Sequence, residues 1–61
     1  MTVPKVLYIE DNEFNRILVK RVLSVEDIDV IEAPDGIIGL ELALSTLPDL
    51  ILPPPAGPTG N

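Results

Sequence analysis

Two adjacent acids, Glu10 and Asp11, come directly after the apolar run Val6–Ile9, and they are the residues best placed for chemistry. A short run of apolar, β-branched and aromatic residues is typical of a strand that is buried on both faces. In open parallel sheets, ligands bind just beyond the carboxyl ends of the strands. Carboxylate oxygens are also preferred ligands of Mg²⁺. The pattern therefore predicts a candidate cation site at the end of the first strand.

The residues alone leave two interpretations of this acidic pair open. Two carboxylates without a third protein ligand make a weak site, because Mg²⁺ demands near-octahedral oxygen coordination. The other interpretation is a solvated acidic strand end that binds nothing. The nearby polar residues Asn12 and Asp35 are predicted to cap helices, and Tyr8 is predicted to belong to the core.

The composition limits the chain to one small domain and excludes several kinds of chemistry. It has 61 residues, no cysteine and no histidine, which excludes disulfides, Cys/His zinc sites and His-dependent catalytic sets. We therefore expect no enzyme activity. The net charge of −6 argues against nucleic acid and anionic membranes as partners. Because neither a signal-peptide pattern nor an apolar segment of about 20 residues is present, we expect a cytoplasmic protein.

The order of elements predicts an α/β fold of the type β-α-β-α-β. Strands are predicted at 5–9, 28–32 and 49–52, and each is short and mostly apolar. Strand–helix–strand units are joined by right-handed crossovers between parallel strands. The expected result is a three-stranded parallel sheet in the order 2-1-3, with the first strand in the middle.

Two helices are predicted between these strands. The first covers about 13–23 and carries an apolar stripe expected to face the sheet, formed by Phe14, Ile17, Leu18, Val22 and Leu23. The second follows Asp35 and ends at Pro48, where proline interrupts a helix. Its small residues Gly39 and Ala43, four apart, predict a close approach to the sheet.

A change of composition after Leu52 predicts the end of the domain, which we place at 1–52. Residues 53–61 read PPPAGPTGN, a Pro/Gly-rich tail expected to be extended or disordered. Consecutive prolines cannot donate to a sheet ladder. The third strand must therefore stop near Leu52.

Three segments in order, 5–16, 30–36 and 47–52, make the chain resemble the receiver domain of two-component response regulators. The match covers residues 5–52, which correspond to the N-terminal half of such a domain. The resemblance implies a flavodoxin-like fold and a phosphorelay role in signal transduction. In that role a histidine kinase or phosphotransfer protein delivers a phosphoryl group to an aspartate after the third strand, while Glu10 and Asp11 hold Mg²⁺.

The chain departs from the family at the phosphoryl acceptor. The family pattern continues the third strand with one apolar residue and then the acceptor aspartate, but here those positions are Pro53 and Pro54. Asp49 cannot replace it, because it begins the strand, about five residues or ~16 Å from the required end. Proline has no nucleophile. We therefore expect a truncated receiver that cannot accept a phosphoryl group and has at most a weak, incomplete magnesium site at Glu10 and Asp11.

Two alternative roles follow from the same residues. A half-fold leaves the edge of the third strand, Leu50-Ile51-Leu52, without a neighbour, which predicts a natural or engineered homodimer through that edge and the apolar helix faces. The other alternative is a docking surface for a kinase or phosphotransfer protein. The resemblance places such a surface on the first helix, which carries Arg16, Lys20 and Arg21.

Overall fold

A three-stranded parallel sheet with one helix after each of its first two strands forms the chain. The structure is a computed structural model and describes residues 2–54. The sheet has the order β2-β1-β3, which confirms the predicted α/β architecture. The elements are β1 (Lys5–Ile9), α1 (Glu13–Val25), β2 (Asp29–Ala33), α2 (Gly36–Thr46) and β3 (Leu50–Leu52).

β1 is hydrogen-bonded to β2 through its even-numbered residues. The Asp29 N–H donates to the Pro4 carbonyl at 2.9 Å, and the Glu10 N–H donates to the Ala33 carbonyl at 2.9 Å. These two bonds lie just outside the ends of the β1–β2 ladder, in which Lys5 is level with Asp29. Because backbone groups of successive strand residues point to opposite sides, the odd-numbered residues of β1 face β3.

The pairing of β1 with β3 decides which backbone groups stay free at the edge of the sheet. Leu7 is level with Ile51, and the odd residues of β1 bond to the residues on either side of Ile51. The N–H and C=O of Ile51 therefore point away from β1, whereas those of Leu50 and Leu52 point toward it. Pro53, the next residue to point outward, has no N–H to offer. The free edge is short and poor in donors.

The buried core comes from the strands. Five apolar residues are buried, and Leu7 is inaccessible to solvent; the five are Val6, Leu7, Tyr8, Val30 and Ala33. α1 contributes no buried residue, and α2 contributes only Gly39. Small domains bury a small fraction of their unfolded surface, and in residues 2–54 the helices cover the sheet only in part.

The predicted orientation of α1 is wrong. Phe14, Leu18 and Val22, expected to face the sheet, are 71%, 50% and 58% exposed. The half-buried residues of the helix are Asn15, Arg16, Val19 and Leu23. α1 packs mainly over β2, with Arg16 bonded to groups at the ends of the strands. Apart from Leu23, the predicted apolar stripe is therefore exposed, and no element of residues 2–54 covers it.

α2 lies against the sheet at Gly39, as predicted. A Cβ atom added to Gly39 would lie 2.7 Å from Cδ1 and 2.9 Å from Cγ1 of Ile9, closer than carbon atoms pack. The predicted cap is also confirmed, since the Ile38 N–H donates to Oδ1 of Asp35 at 2.9 Å. The helix ends at Thr46 and is capped by Leu47, whose left-handed backbone (φ 51°) is typical of a helix C-terminus.

The strand β3 is followed by the start of the Pro/Gly-rich tail. Pro53 and Pro54 are exposed and belong to no strand, and the rest of the predicted disordered tail, 55–61, lies outside the described residues. Within residues 2–54, neither helix is long and apolar enough to cross a membrane.

We predict that Gly39→Ala lowers the free energy of unfolding by about 1 kcal/mol. Overpacking of Ile9 costs roughly 1–3 kcal/mol, and the better helix propensity of alanine returns at most about 1 kcal/mol. Urea denaturation measures the change. Gly36→Ala is the matched control, because nothing lies within 4 Å of a Cβ there. An equal or smaller loss for Gly39→Ala than for Gly36→Ala would contradict the close approach.

Candidate functional site

The acidic corner is built where β1 ends and α1 begins. Glu10 follows the last residue of β1 and is anchored to the end of β2 through its N–H. Asp11 comes next, and then Asn12, whose side chain accepts from the Asn15 N–H at 3.0 Å and caps α1 as predicted. The strand end and the helix cap together fix the backbone on both sides of the two acids.

The carboxylate of Glu10 is turned into the protein. Its residue is only 4% exposed. Its Oε1 atom accepts a hydrogen bond from the Tyr8 hydroxyl at 3.2 Å, and its Oε2 atom accepts one from the Asn12 N–H at 3.1 Å. Both oxygens are thus used inside the chain, and no buried side-chain polar atom in the described part lacks a partner.

Asp11 is exposed, so the two neighbouring carboxylates do not share one environment. Among residues 2–54, no group of three or more Asp, Glu, His or Cys side chains is arranged to hold a metal ion. A cation bound at this corner would have to compete with both hydrogen bonds of Glu10. The predicted magnesium site at Glu10 and Asp11 remains a prediction, and this geometry favours a structural role for Glu10.

The sheet order brings the end of β3 beside this corner. Tyr8 is level with Leu52, so continuing the register places Pro54 at the level of Glu10. Pro53 and Pro54 are both exposed and carry no group that can act as a nucleophile. The position beside the acids that the resemblance assigns to an acceptor therefore holds a pyrrolidine ring.

Asp49 lies at the opposite end of β3 and has a structural part. Its N–H donates to the Lys5 carbonyl at 2.8 Å, and its Oδ2 atom accepts from the Lys5 N–H at 2.7 Å. This pair of bonds joins the entrances of β1 and β3. The sequence predicted Asp49 as the first residue of the strand, but β3 begins one residue later, at Leu50, and the bonds to Lys5 were not predicted.

A cluster of charges that the sequence did not predict joins α1 to the sheet. Arg16 donates from Nη1 to the Glu10 carbonyl at 2.7 Å, and its Nε atom lies 3.6 Å from Oε1 of Glu32. Lys20 lies one turn further along, with Nζ 3.2 Å from Oε2 of Glu32. The available sequence signal was the i, i+4 spacing of two bases on one face of the helix, but nothing local pointed to Glu32.

This cluster changes the surface that was considered for docking a kinase. The Arg16 side chain is only 17% exposed, and Lys20 is paired with Glu32. Of the three bases on α1, Arg21 is the exposed one with no ion pair among the described residues. A docking surface based on all three bases remains a prediction, and residues 2–54 contain no pocket that would support a small-molecule site.

The sequence matches no protein-family model and no curated protein. The order of the strands is consistent with a flavodoxin-like fold, in which the first strand lies between the second and the third. Any assignment of function therefore rests on the residues of the corner and on the resemblance in their pattern.

The environment of Tyr8 gives a testable property of the corner. Burial first, then the hydrogen bond to Glu10 and its negative charge, raise the pKa of the Tyr8 phenol above the ordinary value of 10.0. The unfolded chain ionises near the ordinary pKa. The raised pKa means that the neutral Tyr8 phenol stabilises the folded protein. This stabilisation is complete below about pH 10 and is lost as the pH rises through the folded-state pKa.

We predict that tyrosinate absorbance of the folded protein titrates above pH 10, and that the free energy of unfolding falls over the same range. Tyr8 is the only tyrosine and the chain has no tryptophan, so the absorbance reports this one group. Tyr8→Phe is the control, because it keeps the aromatic ring but removes the ionisable phenol. Lys5 and Lys20 are unchanged in this variant, so any effect of their own titration remains. A phenol that titrates at its ordinary value would show that Tyr8 is not held against Glu10.

Proposed function

We propose that the chain is the N-terminal half of a receiver-like signalling domain that cannot accept a phosphoryl group. The observation that carries this proposal is that an acidic strand end lies beside a neighbouring strand that is followed directly by proline. Glu10 and Asp11 follow β1, and Pro53 and Pro54 follow β3, whose register continued by two residues brings Pro54 to the level of Glu10. The three segments that resemble receivers all fall on β1–α1, β2 and the entry to β3.

The chemistry of the corner supports the inactive form of this proposal. Phosphoryl transfer to a protein needs a nucleophile placed in line, with a metal ion to neutralise the developing charge. Proline supplies no nucleophile, and the buried carboxylate of Glu10 is held by hydrogen bonds from Tyr8 and Asn12. A Mg²⁺ ion at this corner would have at most the two carboxylates of Glu10 and Asp11 as protein ligands, which makes a weak site. A histidine kinase or phosphotransfer protein then remains a partner by resemblance only.

Incubation with acetyl phosphate and Mg²⁺, followed by intact mass measurement, tests this proposal. We predict no phosphoryl adduct on the chain, because no aspartate lies at the end of β3. A complete receiver domain treated in the same tube is the positive control for the reagent. A stable adduct, mapped to Asp11 or Asp49 by fragmentation, would contradict the proposal.

A second candidate function is self-association, and the exposure of the helices favours it. Large apolar side chains on α1, α2 and β3 are between 38% and 77% exposed, and monomeric soluble proteins rarely expose apolar patches of more than a few hundred Å². A chain of this length also builds a core of only about 3–5 kcal/mol by itself. The sequence predicts a homodimer through the edge of β3, with Leu50, Ile51 and Leu52, together with the helix faces. Sedimentation velocity would identify it, and a fully folded monomer at all concentrations would exclude it.

A further inference from the structure

One exposed line of apolar side chains runs along α2 into its C-terminal cap. Ile37, Leu40, Leu44 and Leu47 are 76%, 62%, 71% and 77% exposed. The spacing of three and four residues aligns Ile37, Leu40 and Leu44 on one side of the helix, and Leu47 is the cap residue that follows. Gly39, which faces the sheet, is on a different side. α2 is therefore apolar on its sheet-facing side and along this second line.

The second line faces the side of the sheet where β3 lies. In a right-handed crossover, α2 runs antiparallel to the strands, and the turn of a right-handed helix takes the chain from Gly39 toward β3 at Leu40. The side chain of Ile51 lies on this same face of the sheet. Ile51 is level with Leu7, and Leu7 shares its face with Ile9, which contacts Gly39.

These side chains form one surface, which we call the α2 seam. It consists of Ile37, Leu40, Leu44, Leu47 and Ile51. With about 100 Å² of apolar surface for each Leu or Ile side chain, the α2 seam offers on the order of 500 Å² per copy. A standard interface buries about 800 Å² per partner. Two copies joined through the α2 seam would bury on the order of 1,000 Å² in total, which is the low end for a specific interface.

The charges around the α2 seam favour a second copy of the same chain as its occupant. Glu41, the only charged residue of α2, borders the α2 seam between Ile37 and Leu44, and the seam itself has no charge. Two copies with a net charge of −6 each therefore meet here over an uncharged surface with one carboxylate of each copy at its border. A strongly basic or acidic partner would find no complementary charge on this surface.

The edge of β3 offers much less for such a contact. Ile51 is the one residue of β3 whose N–H and C=O both point outward, and Pro53 cannot donate. Antiparallel pairing of two β3 edges about Ile51 would form at most two backbone hydrogen bonds. The face of β3 is a better contact than its edge, because it presents the apolar side chain of Ile51 beside the uncovered line of α2.

We propose that two copies associate through the α2 seam, with α2 of each copy lying over β3 of the other. This contact is self-complementary under two-fold symmetry and buries the same side chains on both copies. The inference rests on the self-association proposed above and specifies which surface carries it. The two sheets then enclose a single layer that contains both α2 helices.

Neighbouring residues of β3 provide a matched pair of variants for the test. Ile51 and Leu50 are 47% and 53% exposed, but their side chains lie on opposite faces of the sheet. Ile51→Glu buries one unpaired carboxylate from each copy in the α2 seam, and we expect the dimer Kd to weaken by at least about 100-fold. Leu50→Glu lies outside the seam and should leave the Kd within about 3-fold of the wild type. Sedimentation equilibrium measures both.

Leu44→Glu supplies a second, independent variant of the α2 seam, and Val22→Glu on α1 is its control. Both side chains are more than half exposed in the single chain, so circular dichroism should report the wild-type helix content for each. We expect Leu44→Glu to be monomeric and Val22→Glu to remain dimeric. If Leu50→Glu or Val22→Glu dissociated the dimer as readily as the seam variants do, the α2 seam would not be the interface, although self-association itself would stand. A monomeric wild-type chain would overturn both.

Discussion

β1 is hydrogen-bonded along both edges, and every other element takes its place from that strand. Its even-numbered residues bond to β2 and its odd-numbered residues to β3. Leu7, in the middle of β1, is the largest side chain that is completely buried among the described residues. Because the last residue of β1 is followed directly by Glu10, the same strand also fixes where the acidic corner lies. The position of β1 therefore determines both where the core lies and where the acidic corner lies.

The acidic corner has a sequence pattern that resembles a site for phosphoryl chemistry, but its hydrogen bonds connect secondary-structure elements to one another. Glu10 accepts from Tyr8 and Asn12, its carbonyl accepts from Arg16, and its N–H reaches β2. Each of these bonds helps to join β1, α1 and β2. Pro54, which follows β3, supplies no nucleophile beside the acids, in keeping with the inactive receiver proposed above. The interaction proposed for this chain, self-association, uses the uncovered side of the sheet, where β3 lies, and not the acidic corner.

Local signals predicted most of the fold, and longer-range contacts accounted for what was missed. Asn12, Asp35 and Gly39 act within one or two turns of the chain, so capping and close approach were predictable from the residues alone. The orientation of α1 was not, because Phe14 and Leu18 belong to a regular apolar stripe and yet are exposed, with no element of residues 2–54 packed over them. The inward turn of Glu10 depends on Tyr8, two residues earlier on the strand. Pairing of Arg16 with Glu32 depends on contacts across the fold, which no local pattern encodes.

Amide hydrogen exchange at β3 tests most directly whether β1 organises the sheet in this register. The account predicts that the Leu52 N–H, which points to β1, exchanges on the order of 100-fold more slowly than the Ile51 N–H, which points to the open edge. The difference should persist in the dimer, because the α2 seam covers the face of β3 and leaves its edge open. Equal exchange at the two amides, or faster exchange at Leu52, would contradict the register and the free edge.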